Sequence, residues 1–134
     1  MKSIQVFPLC EHHRSDWQLL AEGYKAFYKT PTSGHEYELA WARLMAGNLV
    51  RGLGASVDGD MVGIAHFIHH ASTWANQICY LQDLFTAPKA RGQGVAKTLI
   101  EAVAARLRGC TSGLQALTVS FDTTLACSIE YSFI

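Results

Sequence analysis

The residues best suited to bind a ligand lie in one stretch, from Cys79 to Ala96. In this stretch an apolar segment is followed by a proline turn and then by a loop, residues 91–94 (Arg-Gly-Gln-Gly). The loop runs directly into an amphipathic segment. Glycines allow close approach to the backbone, and the first-turn N–H groups of a helix carry the positive end of its dipole. Arg91 adds a permanent charge beside them. The stretch therefore predicts an anion site whose natural occupant carries a diphosphate.

Two common phosphate-binding loops do not match this stretch. The chain has no Gly-x-x-x-x-Gly-Lys-Ser/Thr run of the Walker type. Gly92-Gln-Gly94 continues as Val-Ala-Lys, without the third glycine of a dinucleotide-binding fingerprint. What remains is Arg-x-x-Gly-x-Ala over residues 91–96, three residues after Pro88. The alternative interpretation is a strand, turn and helix with an incidental pair of glycines.

The segments on either side of the loop have the character that such a site needs. Apolar residues recur at intervals of three and four from Val95 to Arg108, which predicts a helix with one buried stripe. Residues 78–86 are rich in aromatic and branched side chains and apolar on both faces, as a central strand is. The sequence thus predicts a strand, the loop and a helix in that order.

Length and charge indicate the class of protein. A chain of 134 residues predicts a single domain over residues 1–134. Eleven basic and eleven acidic residues cancel, so no overall field favours nucleic acid or a membrane surface as a partner. Between Lys89 and Arg108, however, five basic residues accompany a single acid, Glu101. That local excess of positive charge suits a polyanionic ligand.

Cysteine and histidine spacing argues against metal sites and disulfides. The four cysteines (Cys10, Cys79, Cys110 and Cys127) have neither the spacing of metal ligands nor that of a disulfide framework. We therefore expect buried thiols in a reducing compartment. The pairs His12-His13 and His69-His70 are adjacent rather than one helical turn apart, so we expect solvated loop histidines and no metal. No apolar run has transmembrane length and the N-terminus lacks a signal segment, which predicts a cytoplasmic protein.

The remaining segments predict the order β-α-α-β-β-β-α-β. The first strand covers 4–9, the two helices 16–28 and 36–45, and two strands, 50–57 and 61–68, flank a hairpin turn at Asp58-Gly-Asp60. A polar loop at 69–77 precedes the strand at 78–86, and 114–121 forms the fifth strand. We expect Ser15 or Asp16 to cap the first helix. The expected apolar sides of the two helices comprise Leu19, Leu20, Gly23, Tyr24 and Phe27, and Leu39, Trp41 and Leu44.

Between this strand and this helix, the pattern Arg-x-x-Gly-x-Ala resembles the acetyl-CoA loop of the GNAT superfamily of N-acetyltransferases, Arg/Gln-x-x-Gly-x-Gly/Ala. Four further stretches resemble the branch with polyamine and histone-type acetyltransferases: Tyr24-Lys-Ala-Phe-Tyr28, Ala40-Trp-Ala-Arg43, Ser72-Thr-Trp74 and Cys79-Tyr-Leu-Gln-Asp-Leu-Phe85. The resemblance covers almost all of residues 1–109. It implies an α/β (α+β) fold with a central mixed, mostly antiparallel sheet, acetyl-CoA as cofactor, and as acceptor a primary amine of a small molecule or a lysine-like group.

The resemblance also implies which residues form the site. Backbone groups of Leu84, Phe85 and Thr86 would hold the pantetheine arm and the acetyl carbonyl at a splay between strands. The pyrophosphate would bind beside Arg91 at the backbone amides of Gly92, Gln93, Gly94, Val95, Ala96 and Lys97. The acceptor pocket would be lined by Tyr24, Tyr28, Glu36 and Trp74.

The resemblance places two catalytic candidates on the strand, Gln82 and Asp83. In the polyamine-acting relatives a Glu at the position of Gln82 helps to remove the substrate proton, whereas a Gln can only orient an amine or a water. Asp83 is the carboxylate that remains on the strand, unless it serves only to pair with a loop backbone or an arginine. Neighbouring strand residues face opposite sides, so both can line one wall only where a bulge or a splay intervenes.

The C-terminal segment, residues 110–134, departs from the family. GNAT chains continue with a fifth strand, a helix carrying an Asn and a Tyr, and two closing strands, and that Tyr is the usual proton donor to the CoA thiolate. Residues 122–134 match no Asn-x-x-Ala-x-x-Leu-Tyr pattern. We therefore expect a truncated or frame-displaced end with the helix and strands short or missing, in which Tyr131 could stand in as the acid. An exposed edge beside the fifth strand would favour a homodimer.

Three functions are consistent with the sequence. The first is an acetyl-CoA-dependent N-acetyltransferase. The second is a catalytically impaired GNAT module that binds CoA without turnover, and the third is a dimerising interaction protein without a ligand. CoA affinity separates the first two from the third, and turnover with an amine separates the first from the second.

Overall fold

The computed structural model describes residues 3–71, 73, 77–108, 115–120 and 128–133. The strands are β1 (Ile4–Pro8), β2 (Arg51–Val57), β3 (Asp60–His70), β4 (Gln77–Thr86), β5 (Gln115–Ser120) and β6 (Ser128–Phe133). The helices are α1 (Arg14–Phe27), α2 (Gly34–Ala46) and α3 (Val95–Arg108), with short 3-10 turns at Glu11–His13 and Pro88–Ala90. The order β-α-α-β-β-β-α-β is confirmed, and β6 follows it.

The strands form one mixed sheet in the order β1-β2-β3-β4-β5-β6. Neighbours are antiparallel except β4 and β5, which are parallel. The expected exposed edge beside the fifth strand is wrong, because β6 pairs with β5 along the whole of Gln115–Ser120. Residues 128–133 read Ser-Ile-Glu-Tyr-Ser-Phe, an alternation of polar and apolar residues that is typical of a strand.

Helix α3 packs on one face of the sheet. Val95, Leu99 and Val103 are buried in a core with Leu53 and Phe67 of the sheet, and the predicted bounds 95–108 are confirmed. Of the residues expected in the buried stripe, Leu99 and Val103 are buried, Ala96 and Ile100 are only partly buried, and the side chain of Leu107 lies outside the described part. The close packing needs a glycine on β3, since a Cβ at Gly63 would lie 2.8 Å from Cγ1 of Val95. The helix that follows the glycine loop is therefore anchored directly on the central strands.

Helices α1 and α2 cover the opposite face around two tryptophans. The ring centroids of Trp17 and Trp41 lie 5.1 Å apart in a second core. The predicted apolar sides of these helices were partly wrong, because Leu19, Phe27 and Leu39 are exposed by 68%, 61% and 41%. The buried stripe of α1 follows Trp17, one residue out of phase with the predicted one.

The helix starts also differ from prediction. Helix α1 begins at Arg14, because a 3-10 turn leads straight into it, and neither Ser15 nor Asp16 caps it. Helix α2 begins at Gly34, two residues before the predicted start. The hydroxyl of Ser33 accepts from the N–H of Glu36 at 3.2 Å, and the carboxylate of Glu36 accepts from the N–H of Ser33 at 3.2 Å. This reciprocal capping box satisfies two N–H groups at the helix end.

Candidate functional site

Strand β4 carries a bulge at Gln82. His66 of β3 pairs with Asp83 and Phe67 pairs with Leu81, so Gln82 has no opposite residue in this ladder. The extra residue interrupts the alternation of side chains. Gln82 and Asp83 consequently line the same cavity, which is the arrangement that the sequence made conditional on a bulge or splay.

That cavity has a volume of about 660 Å³ and lies between β3, β4 and the two helices on that face. Charged side chains of both signs line it: Lys25, Glu36, Arg43 and Asp83. Aromatic side chains and histidines complete much of the wall: Trp17, Tyr24, Tyr37, His66, His69 and His70. The cavity is large enough for a small polar molecule and presents groups that could bind charges of either sign.

The predicted acceptor-pocket residues are placed unevenly around this cavity. Tyr24 and Glu36 line it. Tyr28 is outside its described lining, but its ring centroid lies 4.9 Å from that of Tyr24. Trp74 lies outside the described residues.

His66 is the site residue that sequence reasoning missed. Its Nδ1 lies 2.8 Å from Oδ2 of Asp83, and its Nε2 accepts a hydrogen bond of 2.9 Å from Nε1 of Trp17. His66 is buried, and it lines the cavity beside Asp83. A signal was available, since it interrupts the apolar alternation of Ile64 and Ile68 on a buried strand, where an imidazole needs partners.

Asp83 is held in its charged form. Burial would raise the pKa of this carboxyl. The hydrogen bond from His66, the charge of that ring when it is protonated, the hydrogen bond from the Tyr24 hydroxyl and the nearby charge of Lys25 together lower the pKa below its ordinary value of 3.8. Asp83 is a carboxylate at neutral pH. It therefore presents a fixed negative charge to the cavity.

Asp83 is expected to make protein stability depend on pH. Its folded-state pKa is lowered, so the stability it contributes is fully present above the unfolded-state value and is lost as pH falls through the folded-state value. The free energy of unfolding of wild type should exceed that of Asp83→Asn most clearly above pH 3.8, and the difference should shrink below it. Urea unfolding at a series of pH values measures this, and a difference that stays constant on acidification would contradict it.

The described pairing of β4 with β5 ends just before the bulge. Their parallel pairing runs from Gln77–Gln115 to Leu81–Val119. Leu84, Phe85 and Thr86 continue β4, and within the described strands they pair only with β3. Among the described strands this segment thus has a partner on one side only, and its role in holding the pantetheine arm stays a prediction.

The glycine loop has the conformation of an anion cradle. Gly92 and Gly94 have φ values of 80° and 87°, and a Cβ at either would meet open space. The first helical bond of α3 runs from the N–H of Thr98 to the carbonyl of Gly94 at 3.0 Å. The N–H groups of the preceding residues of this turn, Val95–Lys97, have no acceptor within the helix.

A second cavity of about 120 Å³ lies at this loop. It is lined by Thr86, Ala90, Arg91, Gly92, Gly94, Val95, Ala96 and Lys97. Gln93 is not among these lining residues, and its side-chain amide donates to the carbonyl of Lys89 at 3.5 Å. The hydroxyl of Thr86 is buried and, within the described part of the chain, has no hydrogen-bond partner.

Arg91 connects the loop to its surroundings. Its Nε donates to the carbonyl of Thr86 at 3.1 Å. Its guanidinium carbon lies 5.6 Å from the ring centroid of Phe85 and 5.7 Å from that of Phe27. These contacts hold the loop against the end of β4 and against α1, so Arg91 has a structural role in addition to its charge.

Tyr131 lies in β6, where it pairs with Leu117. Along the ladder, Tyr131 is two positions from Ile129. Ile129 pairs with Val119, which is the last residue of β5 that pairs with β4 in the described strands. Its role as an acid stays a prediction.

The expectation of no metal site was based on histidines placed in loops, and the structure places two of these histidines in a strand. Over residues 3–71, 73, 77–108, 115–120 and 128–133, no group of three or more His, Cys, Asp or Glu side chains could hold a metal ion. His69 and His70 end strand β3 and so are not in a loop as predicted.

Cys79 is buried as expected but Cys10 is exposed. Among the described helices, none is long and apolar enough to cross a membrane.

The sequence of the chain is similar to a known protein family and to an enzyme from yeast. The family profile described as "Acetyltransferase (GNAT) family" matches residues 9–127. The D-amino-acid N-acetyltransferase of Saccharomyces cerevisiae is 30% identical over 94 residues, which are 67% of this chain and 58% of that protein. This chain thus spans little more than half of that relative's length.

Solved structures share the fold at low sequence identity. The aminoglycoside N-acetyltransferase AAC(6')-Iy, in complex with a bisubstrate analogue of CoA, superposes with a TM-score of 0.74 at 18% identity, covering 91% of this chain and 82% of its own. The ribosomal-protein-alanine N-acetyltransferase of Brucella melitensis biovar Abortus 2308 has a TM-score of 0.68 at 22% identity, covering 80% and 74%.

Proposed function

Because this chain belongs to the GNAT family of acetyltransferases, we propose that it transfers an acetyl group from acetyl-CoA to a primary amine of a small molecule. The observation that carries the proposal is the spacing of two sites along β4. Asp83 lines the acceptor cavity, and Thr86, three residues on, lines the cavity at the glycine loop. At about 3.3 Å per residue these positions are roughly 10 Å apart. A ligand that reaches from the loop along β4 would end beside the acceptor.

The residues present fit CoA. The loop offers two glycines that leave open space where side chains would be, unpaired first-turn N–H groups, and the basic residues Arg91 and Lys97. The buried hydroxyl of Thr86 is an additional donor without a partner in the described chain. When bound, CoA would supply the acetyl group as an activated thioester.

The chain's own residues then have distinct tasks. Asp83 accepts a hydrogen bond from the acceptor amine and orients it, because it is the fixed negative charge in the cavity wall. Gln82, on the same wall, orients the amine or a water that takes up its proton. Backbone groups of Leu84–Thr86, which pair only with β3 among the described strands, would hold the thioester. Tyr131 is the proposed proton donor.

The acceptor is proposed to be a small amine that also carries a negative group, such as an amino acid. Lys25 and Arg43 balance Glu36 and Asp83 in the cavity, whereas a polycation would be better bound by a wall with excess negative charge. The yeast relative is named as a D-amino-acid N-acetyltransferase, which supports this class. Several structural neighbours are named as aminoglycoside acetyltransferases, so aminoglycosides are the competing class.

The test combines calorimetry with a thiol-release assay. The purified chain is titrated with acetyl-CoA and then supplied with D- and L-amino acids, polyamines and an aminoglycoside. Binding followed by thiol release with an amine supports an acetyltransferase, and the preferred amine identifies the class. Binding without release with any amine supports the impaired CoA-binding module. Absence of binding would overturn the proposal in favour of the interaction protein.

Thr86→Val is expected to change apo stability and CoA affinity in opposite directions. Valine has nearly the same shape but no hydroxyl, so it removes a buried polar group that lacks a partner, and the melting temperature of the apo protein should rise. If the hydroxyl donates to CoA, the loss of one hydrogen bond should weaken CoA binding about two- to tenfold. Thermal unfolding and calorimetry measure the two effects, with Thr86→Ser as the matched variant that keeps the hydroxyl. An unchanged CoA Kd in Thr86→Val would contradict the contact.

A homodimer and a cytoplasmic location remain proposals. The free thiol of Cys10 is consistent with a reducing compartment. Since β6 covers β5, a dimer would have to use another surface than the edge beside β5. Light scattering of the purified chain gives its mass in solution and decides the oligomeric state.

A further inference from the structure

We infer that Trp17 is a positioning residue that holds His66 in the neutral Nδ1–H tautomer, so that Asp83 presents to the acceptor cavity a negative charge that the imidazole does not cancel. The inference rests on the proposed function for its catalytic consequence. Its structural part, the tautomer, stands independently of any activity. The resemblance to the family implied no role for Trp17 or for His66.

The tautomer follows from the donors and acceptors on the two sides of the ring. The indole Nε1–H of Trp17 is a donor only, so Nε2 of His66, at 2.9 Å, must accept. A neutral imidazole with an accepting Nε2 carries its proton on Nδ1. That proton points to Oδ2 of Asp83 at 2.8 Å, where a carboxylate accepts it. Both ring nitrogens are satisfied only in this arrangement.

The indole is fixed in place by the surrounding core. Trp17 is 1% exposed, and its ring packs against Trp41 at 5.1 Å and against Tyr37 at 6.4 Å between centroids. A doubly protonated imidazole would place an N–H against the indole N–H. Protonation of His66 would therefore require Trp17 to move within a packed core, which is costly.

The consequence concerns the charge that an amine meets. A protonated His66 would form an ion pair with Asp83 and cancel most of its field, whereas a neutral His66 donates a hydrogen bond and leaves the negative charge in place. The other titratable or charged groups facing this position are Tyr24 and Lys25 of α1, Glu36, Tyr37 and Arg43 of α2, and His69 and His70 of β3. Those groups stay unchanged in the comparison of variants below.

The first experiment reads the tautomer without any substrate. Nitrogen chemical shifts of the imidazole of His66, measured on the ¹⁵N-labelled apo protein, distinguish a protonated Nδ1 from a protonated Nε2. In wild type we expect a proton on Nδ1 and none on Nε2, because Nε2 accepts from the indole N–H of Trp17. A protonated Nε2 would overturn the inference whatever the enzyme's activity.

The second experiment removes only the indole N–H. Trp17→Phe keeps an aromatic ring in the core but frees Nε2 of His66 to bind a proton at acidic pH. Relative to wild type at the same pH, KM for the amine should then rise about five- to tenfold at pH 5.8 and less than twofold at pH 8.5, because only a protonated imidazole cancels the field of the Asp83 carboxylate. The value of kcat should change much less.

Trp41→Phe is the matched control. Trp41 is a buried tryptophan in the same core, but its N–H donates to Glu11 at 3.4 Å and does not reach His66. It should lower stability similarly while leaving the ratio of KM to wild type independent of pH. His66→Asn should retain a donor to Asp83 without a titrating ring, and its KM ratio should also be independent of pH.

The outcomes separate this inference from the proposed function. If Trp17→Phe and Trp41→Phe have the same pH dependence of KM, Trp17 has only a packing role and the inference fails. If no amine is acetylated, the proposed function fails. In that case the nitrogen shifts of wild type and Trp17→Phe still decide whether Trp17 keeps His66 neutral.

Discussion

Asp83→Asn is expected to lower kcat/KM for the amine by about 10²- to 10³-fold, a range typical of groups that accept a proton or stabilise charge at the reacting centre. Asparagine has nearly the same shape and its one side-chain oxygen can still accept the hydrogen bond of His66, but it has no charge to attract and orient the amine. CoA affinity should change less than twofold, since Asp83 lines the acceptor cavity and not the cavity at the loop. Steady-state kinetics and CoA titration measure the two effects.

Glu36→Gln is the control for this result. Glu36 is another carboxylate that lines the same cavity, and glutamine can replace glutamate in the capping box with Ser33. We expect a change in kcat of less than about threefold, because its carboxylate is used to cap α2. Equal losses in both variants would contradict a special role for Asp83. A fully active Asp83→Asn variant would instead transfer the role to Gln82 and a bound water.

Gly94→Val is expected to raise the Kd for CoA by about 10- to 100-fold, since a residue forced into the left-handed region costs on the order of 1–3 kcal/mol. Gly94 has a φ of 87°, and its Cβ position is open to the cavity at the loop. Valine would therefore both strain the loop and occupy the space where a pyrophosphate would lie. Calorimetric titration with CoA measures the loss.

Gly59→Val separates backbone strain from the loss of the site. Gly59 has a φ of 83° in the turn between β2 and β3, and a Cβ there also meets open space. The two variants should lose similar stability in urea unfolding. Only Gly94→Val should lose CoA affinity. If Gly59→Val binds CoA as weakly as Gly94→Val, the loss is a general effect of instability and the loop is not the phosphate site.

The loop and helix α3 were predicted correctly because their determinants are local. The glycines that permit positive φ, the stripe from Val95 to Val103 and the charge of Arg91 all lie within a few residues of one another. The hairpin at Asp58-Gly59 was predicted for the same reason, and both residues have positive φ, 51° and 83°. Local backbone geometry of this kind depends on residue type and short-range sterics.

The bulge at Gln82 depends on contacts between strands that are distant in sequence. Whether Gln82 and Asp83 share a wall depends on the register of β4 against β3, where His66 lies opposite Asp83. The side-chain pattern of β4 alone predicts opposite faces for them. Register is determined by pairing and packing across the sheet, which single-strand periodicity does not contain.

The chain's sequence by itself determined the order of elements, the glycine loop with its helix, and the carboxylate at Asp83. Tertiary structure alone decided the phase of the stripes on α1 and α2, the cover of β5 by β6, and the hydrogen bonds from Trp17 through His66 to Asp83. The physical reason is separation along the chain: Trp17 and His66 are 49 residues apart, and only the packing of α1 on β3 brings their donor and acceptor together. A histidine's tautomer depends on such partners, so this part of the site is a property of the fold.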